Sequence, residues 1–163
     1  MLLLSGPTAA GKNTIASEMA RRLEPCAVVD FDLVRAMFAN PHKTPWDGAA
    51  GLAQQQLGVH MVCDLAKRFE ADGWNVVILD VLSQATLKLY KTRLSESLKV
   101  VQLLPSYDVV LKRFNERGPV LTYEQLEDVY REQTQLAGYD LRIDNAQILP
   151  EIVAEQLLEF WQS

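Results

Sequence analysis

A short apolar run, Met1-Leu2-Leu3-Leu4-Ser5, passes directly into Gly6-Pro7-Thr8-Ala9-Ala10-Gly11-Lys12-Asn13-Thr14, and a helical pattern follows. No other stretch restricts the fold as strongly. G-x-x-x-x-G-K between a strand and a helix is the layout by which a backbone closes around phosphate oxygens. The two glycines let main-chain N–H groups converge, Lys12 adds a mobile positive charge, and the helix that starts there points its positive dipole end at the same anion. Chance produces the spacing now and then, but seldom between an apolar strand and a helical pattern. The residues from Gly6 to Thr14 are therefore assigned to a polyphosphate grip. One position departs from the usual layout: the residue after the lysine, commonly a Ser or Thr that ligates magnesium, is Asn13. An Asn13 carbonyl oxygen in contact with the metal, or Thr14 orienting phosphate, are the two ways the loop can compensate.

At 163 residues the chain suffices for one domain with a substantial core, and a single domain over 1–163 is expected. A net charge of −5 provides no general basic field, which weighs against a nucleic-acid partner. Cys26 and Cys63 are far apart in apolar sequence, so free thiols are expected rather than a disulfide or a metal cluster. Leu2-Leu3-Leu4 is too short for a signal peptide, and no stretch approaches a membrane span, so a cytoplasmic setting without membrane contact is expected.

Along the chain, Lys12 to about Leu23 reads as helix, with Ile15, Met19 and Leu23 on one face. Cys26–Asp30 reads as a buried parallel strand ending on an acid, and Asp32 to Ala39 as a short helix. His42 to Gly48 has loop composition. Ala49 to Ala71 is a long helical pattern whose inward stripe is predicted at Leu57, Met61 and Leu65, with Val62 and Phe69 beside it. Asn75–Asp80 is a second strand ending on an acid. Ser83 is a plausible cap for a helix through Leu94, and Leu98–Leu104 forms another strand. Tyr107–Arg117 is helical with Val110 and Phe114 facing inward. Thr122 with Gln125 resembles a capping box for a helix to Leu136. Leu141–Asp144 is the last strand, and Pro150 opens a terminal helix with Val153, Leu157 and Trp161 on one face. Five apolar strands alternating with helices imply an α/β fold, a parallel sheet covered on both sides that binds ligands at its carboxyl edge. The loop at Gly6 and the acids Asp30 and Asp80 all fall on that edge.

Asp30-Phe31-Asp32 places two carboxylates beside the phosphate loop: one suited to holding magnesium, the other to accepting a proton from an attacking hydroxyl. The competing view is that Asp32 caps a helix beginning at Leu33. Asp80 is a candidate for substrate or metal-bound water, or is an acid at a solvated strand end. Arg113 and Arg117 share a helix face before Gly118-Pro119, where arginines on a lid can neutralise a transferring phosphoryl group; a solvated face paired to Glu116 explains them equally well. Trp46, in a loop with no core pattern, either walls an acceptor pocket or folds back onto the core. His42 and His60 receive no role. Lys88, Lys91 and Arg93 read as a solvated face.

In order, these segments resemble the small P-loop kinases: shikimate kinase, gluconate kinase, adenylate-kinase-like enzymes and the chloramphenicol-phosphotransferase type. The resemblance rests on the loop Gly6 to Thr14, the Asp30/Asp32 pair and the acid closing Val76-Val77-Ile78-Leu79-Asp80. It also rests on Leu111-Lys112-Arg113-Phe114-Asn115-Glu116-Arg117-Gly118 and on Ile143-Asp144-Asn145 before the last helix. It is nearest to the antibiotic-phosphotransferase-like branch through Val81-Leu82-Ser83 and the Arg117-Gly118-Pro119 turn. It implies a three-layer α/β/α nucleotide-kinase-like fold with a five-stranded parallel sheet, a lid over approximately residues 112–125, ATP as donor and magnesium. It further implies Asp32 as base, Asp30 near the metal, Arg113 and Arg117 on the lid, and the turn after Asp144 near adenine; the residues themselves add Lys12 as a catalytic candidate, Asn13 as a candidate metal ligand, and Trp46 and Asp80 as candidates for contact with substrate. The expected activity is transfer of the γ-phosphate of ATP to a hydroxyl of a small molecule. The alternatives are a nucleoside, nucleotide or polynucleotide 5′-kinase, or a non-catalytic nucleotide-binding module.

Overall fold

The computed structural model describes residues 1–94 and 98–163. Twelve elements follow one another: β1 Leu2–Ser5, α1 Lys12–Ala20, β2 Cys26–Asp30, α2 Phe31–Arg35, α3 Gly48–Ala71, β3 Asn75–Asp80, α4 Gln84–Leu94, β4 Lys99–Leu103, α5 Tyr107–Arg117, α6 Tyr123–Gln135, β5 Leu141–Ile143 and α7 Pro150–Gln162. The five strands form one sheet in the order β2-β3-β1-β4-β5. Every neighbouring pair is parallel, in a register that brings Ser5 level with Asp80 on one side and Gln102 on the other.

Alternation along the strands divides the core into two layers. Leu3, Val76, Ile78 and Val100 face one side, where α3 and α4 contribute Val59, Val62, Cys63, Ala66, Leu87 and Tyr90. Leu2, Leu4, Val77, Leu79, Val101 and Leu103 face the other, against Ile15, Met19, Val153 and Leu157 of α1 and α7. A central strand buried on both faces must be apolar throughout, which accounts for the run at Leu2-Leu3-Leu4. A third cluster, Val110, Phe114 and Leu126, joins α5 to α6 and packs against Ala9 of the phosphate loop.

Most element bounds match the sequence reading, including α5 and the capping box of α6, in which Thr122 Oγ1 accepts from Gln125 N at 3.1 Å and Gln125 returns the bond. Ser83 Oγ accepts from Thr86 N at 3.2 Å, so the expected cap is made. Two features differ. Helix α1 ends at Ala20, before Leu23, and α2 ends at Arg35 rather than Ala39. The inward face of α3 is also different: Leu57 and Leu65 are exposed, and the helix buries Gly58, Val59, Val62, Cys63 and Ala66. The reason is close packing. A Cβ on Gly58 would lie 2.9 Å from the Phe31 ring, so α3 approaches α2 and the sheet through its smallest residues.

Candidate active site

The carboxyl edge of the sheet opens into a cleft of about 870 Å³. At its centre is the β1–α1 loop. Gly6 lies against β4, and a Cβ there would sit 2.4 Å from the Leu103 carbonyl oxygen, so the first glycine is a requirement of close backbone approach. Ala9 (φ 66°) and Gly11 (φ 98°) both take the left-handed conformation that folds the loop inward. Gly11 then precedes α1 with no side-chain cap, leaving first-turn N–H groups directed at the loop's interior, where an anion is their natural partner.

Lys12 is half-buried, with its ammonium turned inward to donate to Gly6 O at 2.7 Å and Pro7 O at 3.1 Å. Burial pushes its pKa down to about 8, opposed by the nearby carboxylates of Asp32, Asp80 and Asp30. Those three acids, expected from two strand ends, are thus gathered around one ammonium.

Their roles in the fold differ. Asp30 is the cap of α2: its Oδ1 accepts from Asp32 N and its Oδ2 accepts from Asn13 Nδ2, both at 2.9 Å. The sequence reading of Asp32 as the cap is corrected, since Asp32 lies inside the first turn with its carboxylate exposed to the cleft. Asp80 is not at a solvated strand end. It is buried, accepting from Tyr90 OH at 3.0 Å and Val81 N at 2.7 Å, and burial pushes its pKa up to about 7 in spite of those bonds. Its partner Tyr90 is a residue no motif announces, because the contact joins β3 to a core position of α4.

On the side of α5, Arg113 donates to Asn145 O at 3.2 Å and more weakly to Ala10 O at 3.4 Å, while Asn145 Nδ2 donates to the same Ala10 carbonyl at 2.8 Å. Arg117, one turn on, also lines the cleft. Neither arginine is ion-paired among the described residues; Glu116 pairs with Lys112 instead. Asn145 lies on the turn after β5, and its Oδ1 is buried without a partner. Behind the loop, Gln133 of α6 donates to Leu82 O at 2.5 Å and accepts from Gln102 Nε2 at 3.2 Å, fastening the end of α6 to the strand edge.

The opposite wall holds Trp46, exposed by 48 % and therefore not folded onto the core, beside Pro45, Leu33, Arg35 and Gln55. Arg35 and Gln55 carried no signal in the sequence, being polar helix residues with no motif around them, Gln55 in the middle of a three-glutamine run. His42 contacts Phe38 O, Lys91 donates to Gly138 O and Arg93 to Asp64, so none of these enters the site. Cys26 and Cys63 are free. Among the described residues no cluster of three or more His, Cys, Asp or Glu side chains suited to a metal is present, and no helix is long and apolar enough to cross a membrane.

No protein-family model matches the chain, and no curated protein matches it in sequence. Solved structures do match in three dimensions. A sugar kinase from Janibacter sp. HTCC2649 is similar at a TM-score of 0.77 and 15% identity, over 99% of this chain and 93% of that one. The APS kinase of Mycobacterium tuberculosis is similar at 0.75 and 15% identity, over 99% and 96%. A shikimate kinase from Bacteroides thetaiotaomicron is similar at 0.69 and 20% identity, over 99% and 98%. The chain has the three-layer α/β/α fold of the small P-loop kinases, with a five-stranded, all-parallel sheet.

Proposed function

We propose that the protein is an ATP-dependent phosphotransferase that moves the γ-phosphoryl group to a hydroxyl of a small molecule. The observation that carries this reading is the placement of an accessible carboxylate, Asp32, in the same cleft as a main-chain anion cradle and a buried ammonium. The structural likeness to an APS kinase bound to AMPPNP and APS supports a nucleotide in the cradle, and the likeness to a shikimate kinase bound to shikimate supports a small hydroxyl compound beside it.

In this reading the residues from Gly6 to Thr14 hold the β- and γ-phosphates through main-chain N–H groups, and Lys12 leaves its two carbonyl partners to follow the moving charge. Asp32 accepts the proton of the acceptor hydroxyl as its oxygen bonds to the γ-phosphorus and the bond to the β–γ bridging oxygen breaks, releasing ADP. Arg113 and Arg117, on a lid over approximately 112–125, neutralise the equatorial oxygens. Asp80 steadies the floor under Lys12, and Trp46 walls the acceptor side. The donor set fits magnesium: Asn13 keeps its carbonyl oxygen free while its amide group holds Asp30, and a magnesium ion needs only one or two protein oxygens, often through water. Asn13, with Asp30 beside it, would hold the ion, and when bound it would supply neutralisation of the polyphosphate charge. Protein mixed with ATP, magnesium and a panel of hydroxyl compounds should release ADP in an acceptor-dependent way. Tight ATP binding without turnover on any acceptor would instead indicate a nucleotide-binding module.

A further inference from the structure

Helix α4 turns Thr86, Leu87, Tyr90 and Leu94 into the core, a stripe at helical spacing that apolar side chains alone would satisfy. Tyr90 is fully buried there, in the same layer as Val62, Cys63, Leu82 and Leu87. A phenol hydroxyl in an apolar layer costs free energy unless it is hydrogen-bonded, so packing by itself favours Phe at this position. Among the described residues the hydroxyl has one partner: it donates to Asp80 Oδ2 at 3.0 Å, joining the core of α4 to the last residue of β3.

Asp80 is an acid whose orientation matters. It is buried, yet it lines the cleft. The outer torsion of an Asp side chain is broad, so a single hydrogen bond leaves the carboxylate free to turn. Oδ1 accepts from Val81 N at 2.7 Å, a bond to its own chain neighbour. Tyr90 holds the second oxygen, and one donor on each oxygen fixes the plane. The charges that meet Asp80 are Lys12 and Asp32 on the cleft side, with the Cys63 thiol of α3 close behind it and Tyr90. Burial drives the Asp80 carboxyl toward its neutral form, and the Tyr90 bond opposes that drive, favouring the carboxylate near the Lys12 ammonium.

Given the kinase reading above, on which this inference rests, we infer that Tyr90 is a positioning residue for phosphoryl transfer: from the core of α4, its hydroxyl holds the Asp80 carboxylate in the orientation that serves Lys12. Tyr90 itself does not line the cleft. Lys12 has to leave Gly6 O and Pro7 O to follow the moving phosphoryl group, and a carboxylate held in one orientation keeps the ammonium directed into the cleft as it does so.

The test compares wild type, Tyr90→Phe, Asp80→Asn and the double variant. Each is assayed for ADP release from MgATP, with water and with the most active member of the hydroxyl panel as acceptor. Tyr90→Phe deletes one oxygen and keeps the ring. It should lower kcat by roughly 10- to 100-fold, with KM for ATP unchanged. Asp80→Asn should lower kcat at least as far, and adding Tyr90→Phe to it should cost nothing more, because no carboxylate remains to be oriented. A merely structural role for the hydroxyl would slow transfer by the same factor in both backgrounds. The ligand-free protein supplies a readout apart from turnover. The side-chain carboxyl carbon of Asp80, followed by NMR and assigned by its loss in Asp80→Asn, should titrate at higher pH in Tyr90→Phe than in wild type. Uniform fluorotyrosine labelling, which keeps every ring and makes the hydroxyl a stronger donor, should move that titration the opposite way, and serves if Tyr90→Phe does not fold. An unchanged kcat in Tyr90→Phe, equal losses in the two backgrounds, or an unmoved Asp80 titration overturns the inference while leaving the kinase reading intact. No ADP release from wild type with any acceptor would remove both.

Discussion

On the proposed reading, the two halves of the cleft would recognise their ligands by different means. The phosphate half is main chain: eight consecutive residues from Gly6 to Asn13 curl inward because Gly6 abuts Leu103 O and because Ala9 and Gly11 are left-handed. The acceptor half is side chain, assembled from α2, the loop before α3 and α3 itself, with Trp46 presented by a loop tied to Gln54 and Gly51. A main-chain site demands a contiguous motif, so the chemistry it performs is narrow and visible. A side-chain site can be rebuilt by single substitutions, so on the proposed reading acceptor choice would reside there. Perturbations of the two halves should therefore separate: the first abolishing nucleotide handling, the second altering only the acceptor.

Lys12→Ala should give the largest effect, reducing turnover to background and weakening MgATP binding while leaving the melting temperature within a few degrees, as measured by titration calorimetry and thermal unfolding. Next, Asp32→Asn should slow transfer roughly 10²–10⁴-fold with ATP affinity preserved; an unchanged rate would show that another group takes the proton. Gly51→Ala, on the acceptor side, must displace the Thr44 carbonyl, which a Cβ there would meet at 2.1 Å. It should cost about 1–3 kcal/mol of stability and raise the acceptor KM by up to roughly 100-fold, with nucleotide affinity unaltered. An equal loss of ATP affinity would erase the contrast between the halves.

A further effect is on pH dependence. Asp80 has an ordinary pKa of 3.8 and is pushed up to about 7 by burial in the folded chain. Between those values the folded protein binds a proton that the unfolded chain has released, so this group's contribution to stability falls as pH rises from about 4 to 7. Asp80→Asn should flatten the denaturant-derived stability curve across that window. An unchanged slope would mean that Asp80 is ionised throughout.

The same division explains what could be read from the chain beforehand. The phosphate loop, the strand ends and the α5 and α6 boundaries are local: Thr122 and Gln125 cap their own helix, and alternating apolar residues define each strand. The features that escaped are set by distant partners. Leu57 and Leu65 fall on a regular stripe, but the contact between Gly58 and Phe31 rotates that stripe outward. The competing reading of Asp32 as a cap fails because Asp30, two residues back, accepts the Asp32 N–H. Asp80 was placed at the right edge but not in its buried bond to Tyr90, and Arg35 is tied to the Trp46 loop by its bond to Lys43 O.

The central claim is that the Gly6–Thr14 loop with Lys12 grips a polyphosphate independently of the acceptor wall. Calorimetric titration of a non-hydrolysable ATP analogue with magnesium into wild type, Lys12→Ala and Trp46→Phe tests it directly. The account predicts the same binding heat and affinity for wild type and Trp46→Phe, and little or none for Lys12→Ala. No binding to wild type, or undiminished binding to Lys12→Ala, would contradict it.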